Sequence, residues 1–391
     1  MKPAARVQAA IEILDLVIAT ARNNGAPADR IVAEWFKARR FAGSGDRRAV
    51  RDLVFRAIRR CGEIPQSGRA SMLLLTGEDA ALADLFDGSP HAPPPIVDGD
   101  AVASAGVAPA WLIEALARSG IAGPEAEALL DRAPLDVRIN TLRQGSADLP
   151  PGGKGTVAAH GWRYPHGTRI EDTPAWSTGM IEVQDTGSQL ACEAVEAQPG
   201  ESVIDLCAGG GGKTLALAAA MDGQGTILAT DTNRSRLSRL PPRAERAGAH
   251  SIETRLLDPN RERDAVEDWL GRADAVLVDA PCSGTGTWRR NPEARWRLTA
   301  SQLERYVATQ SRLLDLATAL VSPGGRLVYV TCSLLDAEGT DQASAFLTRH
   351  RHGWQSDMAA LPAGTPRGPG VRLSPYHDGT DGFFIARFRA L

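Results

Sequence analysis

Ala275-Val276-Leu277-Val278-Asp279-Ala280-Pro281-Cys282-Ser283-Gly284-Thr285-Gly286 opens as a short apolar run, then breaks into an acid, a proline, a thiol and small polar residues. A continuous apolar run of this length suits a strand buried on both faces of a parallel sheet. In open α/β sheets, ligands sit beyond the carboxyl ends of the strands. The stretch therefore predicts a strand that delivers Asp279 and Cys282 to the edge where chemistry happens. Taken alone it equally suits a strand end with a Pro-Gly turn and a small buried cysteine, because free cysteine often packs as a small apolar residue.

The surrounding sequence has the same character. From Gly179 onward, strand patterns at 202–207, 226–231, 252–257, 274–279 and 326–331 alternate with helical stretches that include 213–221, 233–247 and 301–321. This alternation predicts a parallel, doubly wound sheet. Gln184-Asp185-Thr186-Gly187-Ser188-Gln189 leads into a helix over Leu190, Ala191 and Val195, and Asp381 to Phe388 reads as a turn and a last strand.

Four strand candidates end in an acid: Asp205, Asp231, Asp258 and Asp279. One such acid is ordinary helix-cap chemistry; four in succession exceed what turns need. Val203-Ile204-Asp205-Leu206-Cys207-Ala208-Gly209-Gly210-Gly211-Gly212-Lys213-Thr214 is a strand, a glycine-rich loop and a helix start. Glycine lets backbone approach a ligand, and the helix start offers free N–H groups. The dinucleotide pattern GxGxxG fails here at its third glycine, which is Thr214. Asp231 is placed to accept from ribose hydroxyls and Asp258 to hold an adenine amino group. Val330-Thr331-Cys332-Ser333 ends the fifth strand, so two strands carry Cys282 and Cys332 to one edge, a pattern that suggests nucleophilic chemistry.

Upstream, residues 4–60 read as helices, with Val7, Ile11, Leu14 and Ile18 forming one apolar stripe. Asn23-Asn24-Gly25-Ala26-Pro27 closes the first helix. Ile31, Val32, Trp35 and Phe36 suit a second, and Asp46 is expected to cap a third. Residues 1–60 hold 13 Lys and Arg against 6 Asp and Glu, a candidate polyanion face. Residues 66–86 continue helically, and the Pro-rich segment 87–95 reads as a boundary or a loop. A helix starts at Pro109, 134–141 is strand-like, and 144–155 reads as a loop. Its Pro151-Gly152-Gly153-Lys154-Gly155 lacks phosphate-loop spacing. Domains are expected at 1–87, 88–178 and 179–391.

The chain of 391 residues has ordinary apolar and charged content for a soluble globular protein and a net charge of −3. No apolar run approaches the ~18 residues of a membrane span, and no leader pattern is seen at the start. Five cysteines without a CxxC, and seven histidines without ligand spacing, give no expectation of disulfides or of a metal. A reducing cytoplasm and a monomer are the default expectations.

Asp205-Leu206-Cys207-Ala208 with Gly211-Gly212-Lys213-Thr214, then Asp279-Ala280-Pro281-Cys282-Ser283-Gly284-Thr285-Gly286, then Thr331-Cys332-Ser333, resembles the NOL1/NOP2/Sun family of RNA cytosine-5 methyltransferases. Arg138-Ile139-Asn140-Thr141, the Gln184–Gln189 stretch and Asp381-Gly382-Phe383-Phe384 fit as well, so the likeness covers roughly residues 134–391. The basic N-terminal helices resemble the NusB-like RNA-binding domain of the bacterial 16S rRNA enzymes.

The resemblance implies a Rossmann-like S-adenosylmethionine-dependent methyltransferase sheet, preceded by an all-α NusB-like domain and a small α+β linking region. It implies S-adenosyl-L-methionine as methyl donor, with Cys207, Ala208, Gly209, Gly210, Gly211, Gly212 and Lys213 around its amino-acid part. Asp231, Asp258 and Asp279 complete that site. Cys332 is implied as the nucleophile, Cys282 as the residue of product release, and Asp279 as the group that holds the base, with Lys213 lowering a thiol pKa. Trp288, Arg289, Arg290 and Arg295, with Arg47 and Arg48, are the expected RNA contacts; the bland alternative for the two tryptophans of that loop, Trp288 and Trp296, is core packing. The family usually has Ala-Pro where this chain has Gly209-Gly210, so a looser loop is expected. The substrate expectation is RNA, 16S rRNA ahead of tRNA. A non-catalytic assembly factor, or a DNA methylase that attacks with Cys282, are the competing readings.

Overall fold

The computed structural model describes residues 1–391 except Asn24, Ser146 and Ala359. The chain divides into two compact units: Met1–Asp131 with Thr287–Thr299, and Arg132–Gly286 with Ala300–Leu391. The expected boundaries at 87/88 and 178/179 differ from this division.

The first unit is built on four helices, α1 (Pro3–Arg22), α2 (Ala28–Lys37), α3 (Ser44–Arg60) and α4 (Gly68–Thr76). The apolar stripe Val7, Ile11, Leu14 and Ile18 is buried, as are Trp35, Phe36, Val54 and Ile58. Asp46 does not cap α3 directly. Gly43 holds the cap position, and Asp46, three residues on, reaches back to accept from the Gly43 N–H at 3.3 Å. Asn24 lies outside the described residues, as does Ser146 of the expected 144–155 loop.

The Pro-rich segment is a loop inside the first unit rather than a boundary. Arg69 of α4 donates to the carbonyls of Pro94 and Pro95, both at 3.0 Å, and pairs with Asp100 at 2.6 Å. Cys61 and Ala105 form a β-bridge, and α5 (Ala110–Arg118) follows. The segment thus runs back along the helices, because its carbonyls satisfy a partly buried guanidinium.

The second unit opens with a small antiparallel sheet of β1 (Leu135–Ile139), β2 (Lys154–Gly155), β3 (Gly161–Tyr164) and β4 (Ile181–Val183), in the order β2-β3-β1-β4. Sequence reading found only β1. The others are two to four residues long, below what alternation can reveal. The main sheet holds β5 (Ser202–Asp205), β6 (Thr226–Asp231), β7 (Ile252–Leu256), β8 (Ala273–Asp279), β9 (Val321–Thr331), β10 (Trp354–Ser356), β11 (Thr365–Arg367), β12 (Gly370–Leu373) and β13 (Phe383–Ala390). Its order is β11-β12-β13-β9-β8-β5-β6-β7, with β10 on β13. β7, β6, β5, β8 and β9 run parallel; β10 to β13 are antiparallel. The sheet is therefore mixed rather than purely parallel.

Neighbouring residues on each central strand face opposite sides. Val203, Ala275, Leu277, Val328 and Val330 pack on one face with α6 (Thr186–Glu193), α7 (Gly212–Ala220) and α8 (Leu240–Ala247). Ile204, Val276, Val278, Leu327 and Tyr329 pack on the other with α9 (Ala300–Leu320) and α10 (Thr340–Arg349). Burial on both faces is why these strands read as continuous apolar runs. The expected helix over 233–247 is broken after Leu237, and α8 restarts with Pro241 and Pro242 in its first turn.

Candidate active site

Strand order reverses between β5 and β8, the point where an open α/β sheet leaves a crevice. A cavity of about 780 Å³ opens there, within the range of small-molecule sites. Cys207, Ala208, Gly209, Gly210, Asp231, Asp279, Cys282 and Cys332 all line it. Asp258 is exposed, and the wall beside it is made by Leu257, Pro259 and Asn260.

The glycine loop is held at several points. The Ala208 N–H donates to Thr230 O at 2.8 Å, and the Gly209 N–H donates to the Asp231 carboxylate at 2.8 Å. Arg243 of α8 donates to Gly210 O and pairs with Glu182 of β4 at 2.8 Å. Gly211 has φ +83, and a Cβ there would meet Leu240 at 2.2 Å, so only glycine fits. Gly210 has no such constraint. The looseness expected from four glycines is countered by Arg243 and Glu182, which sequence reading did not single out. At the loop's root, Asp205 is fully buried and accepts from the Thr214 hydroxyl at 2.7 Å. Burial pushes its carboxyl up to about 7.

Lys213 of α7 pairs with Asp279 at 2.6 Å, with its ammonium 5.6 Å from the Phe383 ring centre. Burial pulls the ammonium pKa down, but the charge and hydrogen bond of Asp279 outweigh this, so it stands raised. Cys282 and Cys332 are free thiols, with their sulfurs 3.4 Å apart. The contact with Cys332, then burial, pushes the Cys282 thiol well above its ordinary range. The expected lowering of a thiol pKa by Lys213 is therefore not found at Cys282, and the lysine is committed to Asp279.

The loops after β8 and β9 are locked together. Gly286 N–H donates to Cys332 O at 3.0 Å, and Gly382 N–H to Gly286 O at 2.8 Å. A Cβ on Gly286 would sit 2.1 Å from Gly382 O, which explains why both motif loops carry glycine there. Buried Glu338 accepts from the Ser283 N–H at 2.8 Å and the Ser333 hydroxyl at 2.6 Å. Sequence reading missed Glu338 and Gln310; the available signal was the repeated dipeptide Cys282-Ser283 and Cys332-Ser333.

The expected RNA contacts lie in the first unit. Arg47 and Arg48 of α3 are exposed. Arg290 is partly exposed, whereas Trp288, Arg289 and Arg295 are buried. Arg295 donates to the carbonyls of Ile58 at 2.6 Å and Cys61 at 2.8 Å, and burial pulls its pKa down to about 9. Base stacking by Trp288 and phosphate contacts by Arg289 and Arg295 are thus corrected to buried, structural positions. Among the described residues no cluster of His, Cys, Asp or Glu could hold a metal ion, and no helix is long and apolar enough to cross a membrane.

The family described as 16S rRNA methyltransferase RsmB/F matches residues 192–389. Ribosomal RNA small subunit methyltransferase B of Pectobacterium atrosepticum is 34% identical over 249 residues, 64% of this chain and 55% of that protein. The protein of the same name from an Enterobacter species is 32% identical over 296 residues, covering 71% and 65%. The chain spans about half to two thirds of the length of these curated relatives. The crystal structure of a methyltransferase homolog protein from Pyrococcus horikoshii is 28% identical with a TM-score of 0.60, over 72% of this chain and 99% of that one. NSun6 from Pyrococcus horikoshii, solved with SFG, shares the fold at 19% identity and a TM-score of 0.61, over 72% and 98%.

Proposed function

The chain belongs to the 16S rRNA methyltransferase RsmB/F family, and from that premise we propose that it methylates carbon 5 of a cytosine in RNA, 16S rRNA first among candidates. The observation that carries this reading is the pair of free thiols 3.4 Å apart, on a cavity also lined by Asp279, which Lys213 holds. The cavity also fits S-adenosyl-L-methionine: Cys207 to Gly210 line it, and Asp231 offers a carboxylate for hydroxyl groups. When bound, that cofactor supplies an electrophilic methyl group.

The chain's own residues prepare the base. Carbon 5 of cytosine is a weak nucleophile. The Cys332 thiolate forms a bond to carbon 6, and the displaced π electrons make carbon 5 electron-rich. Asp279, aimed by Lys213, accepts a hydrogen bond from the cytosine amino group and stabilises the adduct. After methylation a base takes the carbon 5 proton. That C–H electron pair restores the double bond and expels Cys332 as thiolate; Cys282 serves this release. The target base has to be unstacked to reach the cavity.

Purified protein, labelled S-adenosylmethionine and unmodified 16S rRNA test the reading. Transfer to a cytosine is expected. Cys332→Ala is expected to lower it by about 10³-fold or more. Cys282→Ala is expected to trap a covalent RNA adduct, seen as a shifted band. No methylated cytosine with the intact chain, or loss of turnover in Cys282→Ala without trapping, sinks it.

A further inference from the structure

Cys282 and Cys332 lie on separate loops, and no covalent link fixes their spacing. Glu338, in the turn after β9, reaches both loops. One carboxylate oxygen accepts from the Ser283 N–H at 2.8 Å and from Gln310 Nε2 at 3.1 Å. The other accepts from the Ser333 hydroxyl at 2.6 Å and from the Ser283 hydroxyl. The Glu338 carbonyl accepts from the Tyr329 hydroxyl at 2.7 Å and from Thr331 Oγ1 at 3.3 Å, which fastens the turn to β9. Gln310 of α9 also donates to Pro281 O at 2.9 Å, next to Cys282.

A buried carboxylate is tolerated only when donors surround it. Here the donors come from the residue after each cysteine and from the helix that backs Pro281. We propose that Glu338 is a positioning residue: it ties the Cys282 loop to the Cys332 loop and sets the separation of the two thiols. Its value for catalysis rests on the methyl-transfer reading above; its hold on the thiols does not.

The test compares full-length wild type with Glu338→Gln and Glu338→Ala. Diamide oxidises a close thiol pair to a disulfide, taking up two electrons and two protons, so its rate reports the Cys282–Cys332 geometry. Trapped digests read by mass spectrometry identify the link. Glutamine has the same shape and keeps the contacts, with its NH₂ donating to the serine oxygens. It is expected to cross-link within about threefold of wild type, as conservative rescue. Alanine is expected to cross-link about tenfold slower and to lose about 10²-fold in kcat, with KM for RNA within about threefold.

A folded Glu338→Ala that cross-links at the wild-type rate overturns the proposal. So does a Glu338→Gln that behaves like alanine. If alanine prevents folding, the double variant Ser283→Ala with Ser333→Ala decides: slower cross-linking supports the proposal and the wild-type rate overturns it. Wild type that cross-links as expected but methylates no RNA sinks the methyl-transfer reading, and the Glu338 effect on cross-linking still supports its hold on the thiols.

Discussion

Asp205 shows what a single buried residue does to this site. It is fully buried, takes the Thr214 hydroxyl on one oxygen and leaves the other, Oδ1, without a partner. Burial moves its carboxyl from an ordinary 3.8 up to about 7. The folded chain therefore keeps a proton that the unfolded chain gives up near pH 4. Stability contributed by this group falls as pH rises from about 4 to about 7 and is level above that. Asp205→Asn keeps an acceptor for Thr214 and has no proton to lose. Denaturant melts across pH 4–7 are expected to show a shallower decline in the variant; equal slopes would rule this out. Sequence marked Asp205 as one of four strand-end acids. It did not show that Asp231, itself buried, lines the cavity while Asp205 is not among its lining residues.

At the scale of elements, the segment 294–297 shows where composition misleads. Arg-Trp-Arg reads as a nucleic-acid contact. In the fold, Trp296 joins the helical core and Arg295 satisfies carbonyls at the end of α3. An α3 C-terminus has unpaired carbonyls to offer, and a guanidinium answers several at once. Arg295→Ala would take the donor from the Ile58 carbonyl, while Cys61 O keeps the Trp296 indole N–H at 3.2 Å, at a cost of about 2 kcal/mol. A fall in the melting temperature of the first unit is expected, while Arg48→Ala, at an exposed position, is expected to leave it within about 1 °C. Calorimetry of both variants checks this; a thermally silent Arg295→Ala would return that residue to the list of RNA contacts. The strands of the main sheet were legible because burial on both faces demands apolar runs. The short β2, β3 and β4 were not, because pairing rather than pattern defines them.

At the scale of the whole molecule, the first unit is not contiguous in sequence. Residues 287–299 complete it: Glu293 accepts from the Ala28 N–H at 2.9 Å, and Arg297 donates to Gly25 O at 2.6 Å and Ala26 O at 2.7 Å. A fragment of residues 1–131 lacks Trp296 from its core and those partners for its backbone. It is expected to melt about 5–10 °C below the same fragment carrying 287–299 on a flexible linker. Equal melting temperatures by circular dichroism would show that the insert adds nothing.

The sequence by itself determined the α/β sheet, the glycine loop and the two thiol-bearing strand ends, because each is encoded within a dozen adjacent residues by burial, turn chemistry and spacing. Only the tertiary structure brought Cys282 and Cys332 to 3.4 Å, paired Lys213 with Asp279 and set Glu338 between the loops. It also returned 287–299 to the helical unit. Such contacts join residues far apart in the chain, and their partners are chosen by burial and hydrogen-bond satisfaction across the fold, which local pattern does not record.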